Sequence, residues 1–179
     1  MEQIDILSVG EVLIDFIGHQ ENVLINNTRD YHRYMGGSPT NVAMNSARLG
    51  LNATMVATVG DDGFGEYIFE RLNEVGVNTE PIKKLKNKPT SVIFVSRSDK
   101  TPEFVAYREA DYPISENHIS SNLLSQTYIF HTTCFALSKN PSRTTILKKA
   151  HEAFDSGCKL SIDINYADEI WDNKEDALK

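Results

Sequence analysis

The run Met35-Gly36-Gly37-Ser38-Pro39-Thr40-Asn41 holds residue types suited to gripping a small polar ligand. The adjacent glycines Gly36 and Gly37 let backbone approach a ligand with no Cβ between them. Ser38 is a good helix N-cap and Pro39 suits the first helical position, where its missing N–H costs nothing. A helix start of this kind leaves several backbone N–H groups unpaired and aimed outward. Asn41 adds an amide that both donates and accepts, which suits a sugar hydroxyl. On these residues alone, a strand-to-helix turn with its cap explains the run as well as a ligand site does.

Asp15 interrupts the apolar run over residues 12–17. A carboxylate there must be solvated, paired or held by a ligand, and an edge-strand Asp facing water is the plain alternative. Asp163 and Asn165 stand at the end of a strand expected over 159–164. In open α/β sheets, ligands bind outside the C-terminal ends of the strands. Arg108 ends a strand expected over 103–107. The commoner fate of such a residue is a half-exposed surface. Asp61, Asp62, Gly63 and Gly65 form neither a Walker A loop nor a G-x-G-x-x-G fingerprint, and read as a tight turn before a helix. His131 reads as a packed strand histidine. Cys134 and Cys158 lack any metal-ligand spacing and read as free thiols in a reducing compartment, with the cytoplasm as the expected location. No metal-ligand set is expected.

Short β-branched runs alternate with longer helical stretches, which argues for βαβ units and a mainly parallel sheet. Strands are expected over 4–9, 12–17, 31–34, 53–59, 90–95, 103–107, 128–132 and 159–164. The pair 90–95 and 103–107 reads as a hairpin around Ser98-Asp99-Lys100-Thr101. Helices are expected from Ser38 to about Leu49, from about 65 to 75, and over 141–154 with Asn140 as its cap. Gly50 stands where a left-handed C-terminal residue belongs.

The 179 residues suffice for one sizeable core. A net charge of −7 with thinly spread Lys and Arg disfavours nucleic acid as a partner. An anionic substrate stays open, since one local Arg outweighs a global sign. No apolar run approaches the roughly 20 residues of a membrane helix. The start Met1-Glu2-Gln3-Ile4-Asp5 is acidic and enters a strand pattern at once, unlike a signal peptide.

The wider spacing Gly36-Gly37-x-Pro39-x-Asn41-x-Ala43, then Gly50 and Gly60, resembles the first signature of the PfkB (ribokinase-like) carbohydrate kinase family. The resemblance covers the whole chain, taking in Gly10-Glu11-x-x-Ile14-Asp15, Gly60-Asp61-Asp62-x-Phe64-Gly65, Tyr107-Arg108, and Asp163-x-Asn165 with Trp171. Within the family the chain is most similar to fructokinases, 2-keto-3-deoxygluconate kinases and 5-dehydro-2-deoxygluconate kinases. The tract Ala136-Leu137-Ser138-Lys139-Asn140-Pro141-Ser142-Arg143 is similar to the last of these.

The resemblance implies a Rossmann-like three-layer α/β sandwich with a small β-sheet lid. The lid maps to about 11–34 and 89–112, the remainder to the core, and the C-terminal part of the fold is missing. It implies transfer of the ATP γ-phosphoryl group to a primary hydroxyl of a ketose or keto-sugar acid, with Mg²⁺. Asp15, Gly36, Gly37, Asn41 and Arg108 would bind the sugar, Arg108 reaching in from the lid, and Asn165 would face the nucleotide phosphates. The family's catalytic Asp lies in a Gly-Ala-Gly-Asp stretch that this chain lacks, as it lacks the adenine-binding region. The chain alone is therefore expected to show no turnover. The lid of relatives can form a dimer interface, so a homodimer is an expected assembly.

Two departures bear on the substrate: Ala106 stands where the ketogluconate kinases carry an extra aromatic, and Ala167 where the family often has an Arg. A nucleoside kinase of the same family and a non-catalytic sugar-binding remnant are the rival readings. A dinucleotide-dependent oxidoreductase would need a glycine fingerprint absent here.

Overall fold

The computed structural model describes residues 3–99 and 101–178. Lys100, in the expected hairpin turn, and Met1 and Glu2 at the start lie outside the described residues.

The central sheet has four parallel strands in the order β10-β9-β1-β4. These are β1 (Ile4–Val9), β4 (Ala53–Val56), β9 (Thr127–Thr133) and β10 (Lys159–Asp163). Strand β1 reads as a near-continuous apolar run because both of its faces are covered. Ile6 packs with Met55, Ile68 and Leu72 in one buried cluster. Its neighbour Leu7 packs with Phe130, Ile146 and Ala153 in another. Successive strand side chains point to opposite faces, so one strand feeds both layers. Helices α1 (Ser38–Arg48), α2 (Gly63–Glu74) and α4 (Ser142–Asp155) supply those layers. No helix among the described residues is long and apolar enough to cross a membrane.

A second sheet, in the order β3-β2-β7-β8, joins β2 (Leu13–Glu21) and β3 (Tyr31–Gly36) to β7 (Val92–Arg97) and β8 (Phe104–Tyr107). Strands β2 and β7 run parallel, and the outer pairs are antiparallel. An aromatic series holds this sheet together. Phe94 stacks on Phe16 at 5.0 Å and meets Tyr31 and Tyr107 edge-on. Phe16 meets Phe64 of α2 at 5.7 Å, tying the small sheet to the core.

The structure departs from the sequence expectation at several places. The single strand expected over 53–59 is two, β4 and β5 (Thr58–Gly60). Ala57 accepts a backbone bond from Lys83 and Thr58 Oγ1 donates to Ala110. The chain thus leaves the main sheet to pair with β6 (Lys83–Leu85). Strand β6 and the short helix α3 (Ser121–Ser125) were not expected, because three to five residues carry no readable periodicity, whereas the short helix α5 (Lys174–Ala177) agrees with the helix start that the sequence suggests near its end.

The cap of α1 is Gly37 rather than Ser38. Gly37 takes φ +104°, and Ser38 is the first helical residue. Gly50, at φ +87°, follows the helix as expected. Helix α2 begins at Gly63 because Asp62 caps it, accepting from the N–H groups of Phe64 and Gly65. Asp62 also accepts from the N–H and hydroxyl of Thr90. Burial opposes its ionisation, but the hydrogen bonds from Thr90, Gly65 and Phe64 outweigh it and hold its pKa below the usual carboxylate value. Its role is that of the turn-and-helix-start reading. Helix α4 starts at Ser142, one residue later than expected. The Asn140 side chain nonetheless accepts from the N–H and hydroxyl of Thr144.

Candidate functional site

A cavity of about 390 Å³ lies at the C-terminal ends of β1, β9 and β10, with the small sheet forming one wall. This is the sheet end at which an open α/β fold binds its ligands. Glu11, Asp15, Gly37, Ser38, Asp163 and Asn165 line its polar side. Leu13, Ile93, Phe104, Phe135 and Ile170 line the apolar side.

Glu11 organises the floor. It follows β1, is 2% exposed, and accepts from Ser38 N–H at 3.1 Å and Thr133 Oγ1 at 2.8 Å. Burial dominates its ionisation and pushes its pKa up to about 7, against the hydrogen bonds it receives. Its backbone carbonyl accepts from Thr40 Oγ1 at 3.0 Å, so one residue fixes the start of α1 from two sides. A Cβ at Gly37 would overlap that carbonyl, which is the physical need for glycine there. Ser38 also donates its hydroxyl to Asp163 Oδ2, linking α1 to the end of β10.

Asp15 sits on β2, opposite Tyr34 of β3 and Ile93 of β7. Its carboxylate lies against Gly36, whose missing side chain leaves the space. Burial alone pushes its pKa up to about 6. Among the described residues no donor reaches this half-buried carboxylate, which lines the cavity. A carboxylate of this kind, when ionised, accepts strong hydrogen bonds from hydroxyl groups.

The other expected residues are placed unequally. Asn165 lines the cavity with Asp15, and so does Ala167. Gly36 does not line it but makes room for the residue that does. Asn41 is exposed in the first turn of α1 and is not among the lining residues. Pro39, Thr40, Ala43 and Met44 form the buried face of that helix. Helical periodicity turns Asn41 outward with Asn45 and Arg48.

Arg108 is neither a surface arginine nor an arm in the cavity. It is 8% exposed, and its Nε and Nη2 hold Asp111 Oδ2 at 2.8 and 2.6 Å. Its Nη1 donates to Ser138 Oγ, and its guanidinium lies 4.0 Å from the centre of the Phe135 ring. Arg108 therefore braces the wall behind Phe135. Sequence reasoning placed Asp163 at the ligand-binding end of its strand but missed Glu11 and Ser38 as lining groups. The signal for Glu11 was a carboxylate directly after a buried strand and Gly10.

His131 is packed in β9, one ring nitrogen 3.0 Å from Ser161 Oγ and the other buried with no partner among the described residues. Burial holds its pKa below the usual value. Cys134 and Cys158 are free and buried, and burial pushes both thiols up.

The sequence pattern of the pfkB family of carbohydrate kinases matches residues 3–179. The chain belongs to this family. An ATP-dependent 6-phosphofructokinase of Thermoanaerobacterium thermosaccharolyticum is 33% identical over 172 residues, 96% of this chain and 53% of that protein. The fructokinase of Halothermothrix orenii superposes with a TM-score of 0.90 at 33% identity, covering 96% of this chain and 61% of that one. A sugar kinase of Pyrococcus horikoshii, solved in complex with ATP, superposes with a TM-score of 0.88 at 32% identity, covering 95% and 56%. This pfkB chain thus has the ribokinase-like α/β fold, and it spans about half the length of the curated relatives it matches.

Proposed function

We propose that this chain forms the sugar-holding half of an ATP-dependent kinase that phosphorylates a primary hydroxyl of a ketose or keto-sugar acid, in a fructokinase-like reaction. The observation that carries the reading is Asp15, a partly buried carboxylate with no donor among the described residues, facing a cavity at the ligand-binding end of the sheet. A sugar hydroxyl supplies the donor that the fold withholds. Gly36 and Gly37 open the space. Asn41 is offered as an outer contact, Arg108 as the brace for the wall, and Asn165 as the residue towards the nucleotide phosphates.

Phosphoryl transfer asks a protein mainly to position the reactants and neutralise charge. ATP and Mg²⁺ do not fit the cavity as the described residues form it. Among the described residues no Lys, Arg or His lines it, and the helix start beside it has Ser38 N–H already taken by Glu11. No group of three or more acidic, His or Cys residues that could hold a metal occurs among the described residues. No Gly-Ala-Gly-Asp stretch occurs in the 179 residues. We therefore place no nucleotide, metal or catalytic base in this cavity, and expect no turnover from the chain alone. The small sheet would close over the sugar and exclude water as a competing acceptor, and it offers the surface for a homodimer in the cytoplasm.

Calorimetric titration with D-fructose tests the reading. Saturable binding that Asp15→Ala abolishes without unfolding the chain supports it, and binding unaffected by Asp15→Ala overturns it. Sugar-dependent ADP production by residues 1–179 would overturn the expectation of no turnover. Phe104 and Phe135 in the cavity wall favour one second reading, a nucleoside kinase, because aromatic rings suit a base. A thermal-shift comparison of nucleosides with ketohexoses and keto-acids separates the two.

A further inference from the structure

We infer that the cavity of this chain selects uncharged sugars and turns away sugar acids and sugar phosphates. The inference rests on the sugar-kinase reading and narrows its substrate class.

Proteins hold carboxylates and phosphates with cations, with free helix N-termini, or with unpaired N–H donors. Among the described residues the cavity offers no cation, and the first N–H of the helix at its edge is already taken. Among the described residues, no Lys, Arg or His lines it, whereas Glu11, Asp15 and Asp163 all do. The helix start at its edge is α1, and there Glu11 already accepts from Ser38 N–H. Arg108 stands behind Phe135 and is committed to Asp111, whose side chain is 0% exposed, and to Ser138. Turning it into the cavity would strand Asp111 as an unpaired buried carboxylate.

Apart from the amide of Asn165, what the cavity chiefly offers is carboxylate acceptors. Asp15 has no donor among the described residues, and a neutral polyol brings O–H donors. A ligand carboxylate or phosphate brings only acceptors and a like charge into a partly desolvated space, where repulsion is stronger than in bulk water.

The test is calorimetric titration of the chain with D-fructose, 2-keto-3-deoxygluconate and fructose 6-phosphate, at low and high salt. Fructose should bind at least about tenfold tighter than either anion, and salt should narrow the gap by screening. Asp15→Asn, which keeps the shape and removes the charge, should also narrow it. An anion that binds as tightly as fructose or more tightly overturns the inference and leaves the sugar-kinase reading standing. A gap that neither salt nor Asp15→Asn changes overturns the electrostatic cause and with it the inference. Failure of all three ligands to bind overturns the sugar-site reading and the inference together.

Discussion

The carboxylate of Asp15 occupies the space that a side chain at Gly36 would fill. Gly36 pairs with Leu13 across β2 and β3, which sets Asp15 diagonally against its bare α-carbon. The glycine is required by its neighbour rather than by its own backbone, since Gly36 is not among the positive-φ glycines.

Gly36→Ala should therefore act on the ligand site more than on the turn. The added methyl meets both the Asp15 carboxylate and the Leu13 side chain. Overpacking of this kind costs about 1–3 kcal/mol, and the carboxylate is the easier group to displace. The expected result is a fructose affinity lowered by about tenfold or more, with a fall in Tm of only a few degrees, read by calorimetry and thermal melting.

Sugar affinity should follow the ionisation of Asp15, whose pKa burial pushes up to about 6. Ligand hydroxyls donate to the ionised form, so binding favours the carboxylate and is full above that value. As pH falls through it, affinity should drop by up to about tenfold per unit. Titrations across this range check the slope, and Asp15→Asn should flatten it.

Glu11 should make the fold less stable as pH rises. Its folded pKa of about 7 stands above the ordinary 4.5, so the folded chain holds the proton more tightly than the unfolded one. Its contribution is full below pH 4.5 and is lost as pH rises to about 7. A shift of this size corresponds to about 3 kcal/mol at most. Glu11→Gln keeps an acceptor for Ser38 N–H and carries no charge. In urea titrations it should match the parent chain near pH 4.5 and exceed it in stability above pH 7.

Arg108→Ala should be strongly destabilising, because it strands Asp111 without its cation in a fully buried position. Breaking a buried pair from one side costs about 3–5 kcal/mol. The double variant Arg108→Ala with Asp111→Ala should lose clearly less than the sum of the two single losses, as measured by denaturant unfolding. Additive losses would mean that the pair contributes no coupling.

The sequence by itself determined the parallel α/β core, the hairpin pairing β7 with β8, the position of Asp15 and the glycine pair, and the family. Each of these is written in a local pattern: apolar runs, turn residues, a spacing of glycines. Only the tertiary structure decided what those residues face. The outward turn of Asn41 depends on which side of α1 meets β1 and β4. The retreat of Arg108 depends on Asp111 and Ser138, the latter 30 residues further along. The split between β4 and β5 depends on acceptors and donors that arrive from residues 83 and 110. Glu11 joins Ser38 and Thr133, which are 27 and 122 residues away. Contacts over such separations leave no periodicity in the chain, so the charge of the cavity becomes legible only once the strands are side by side.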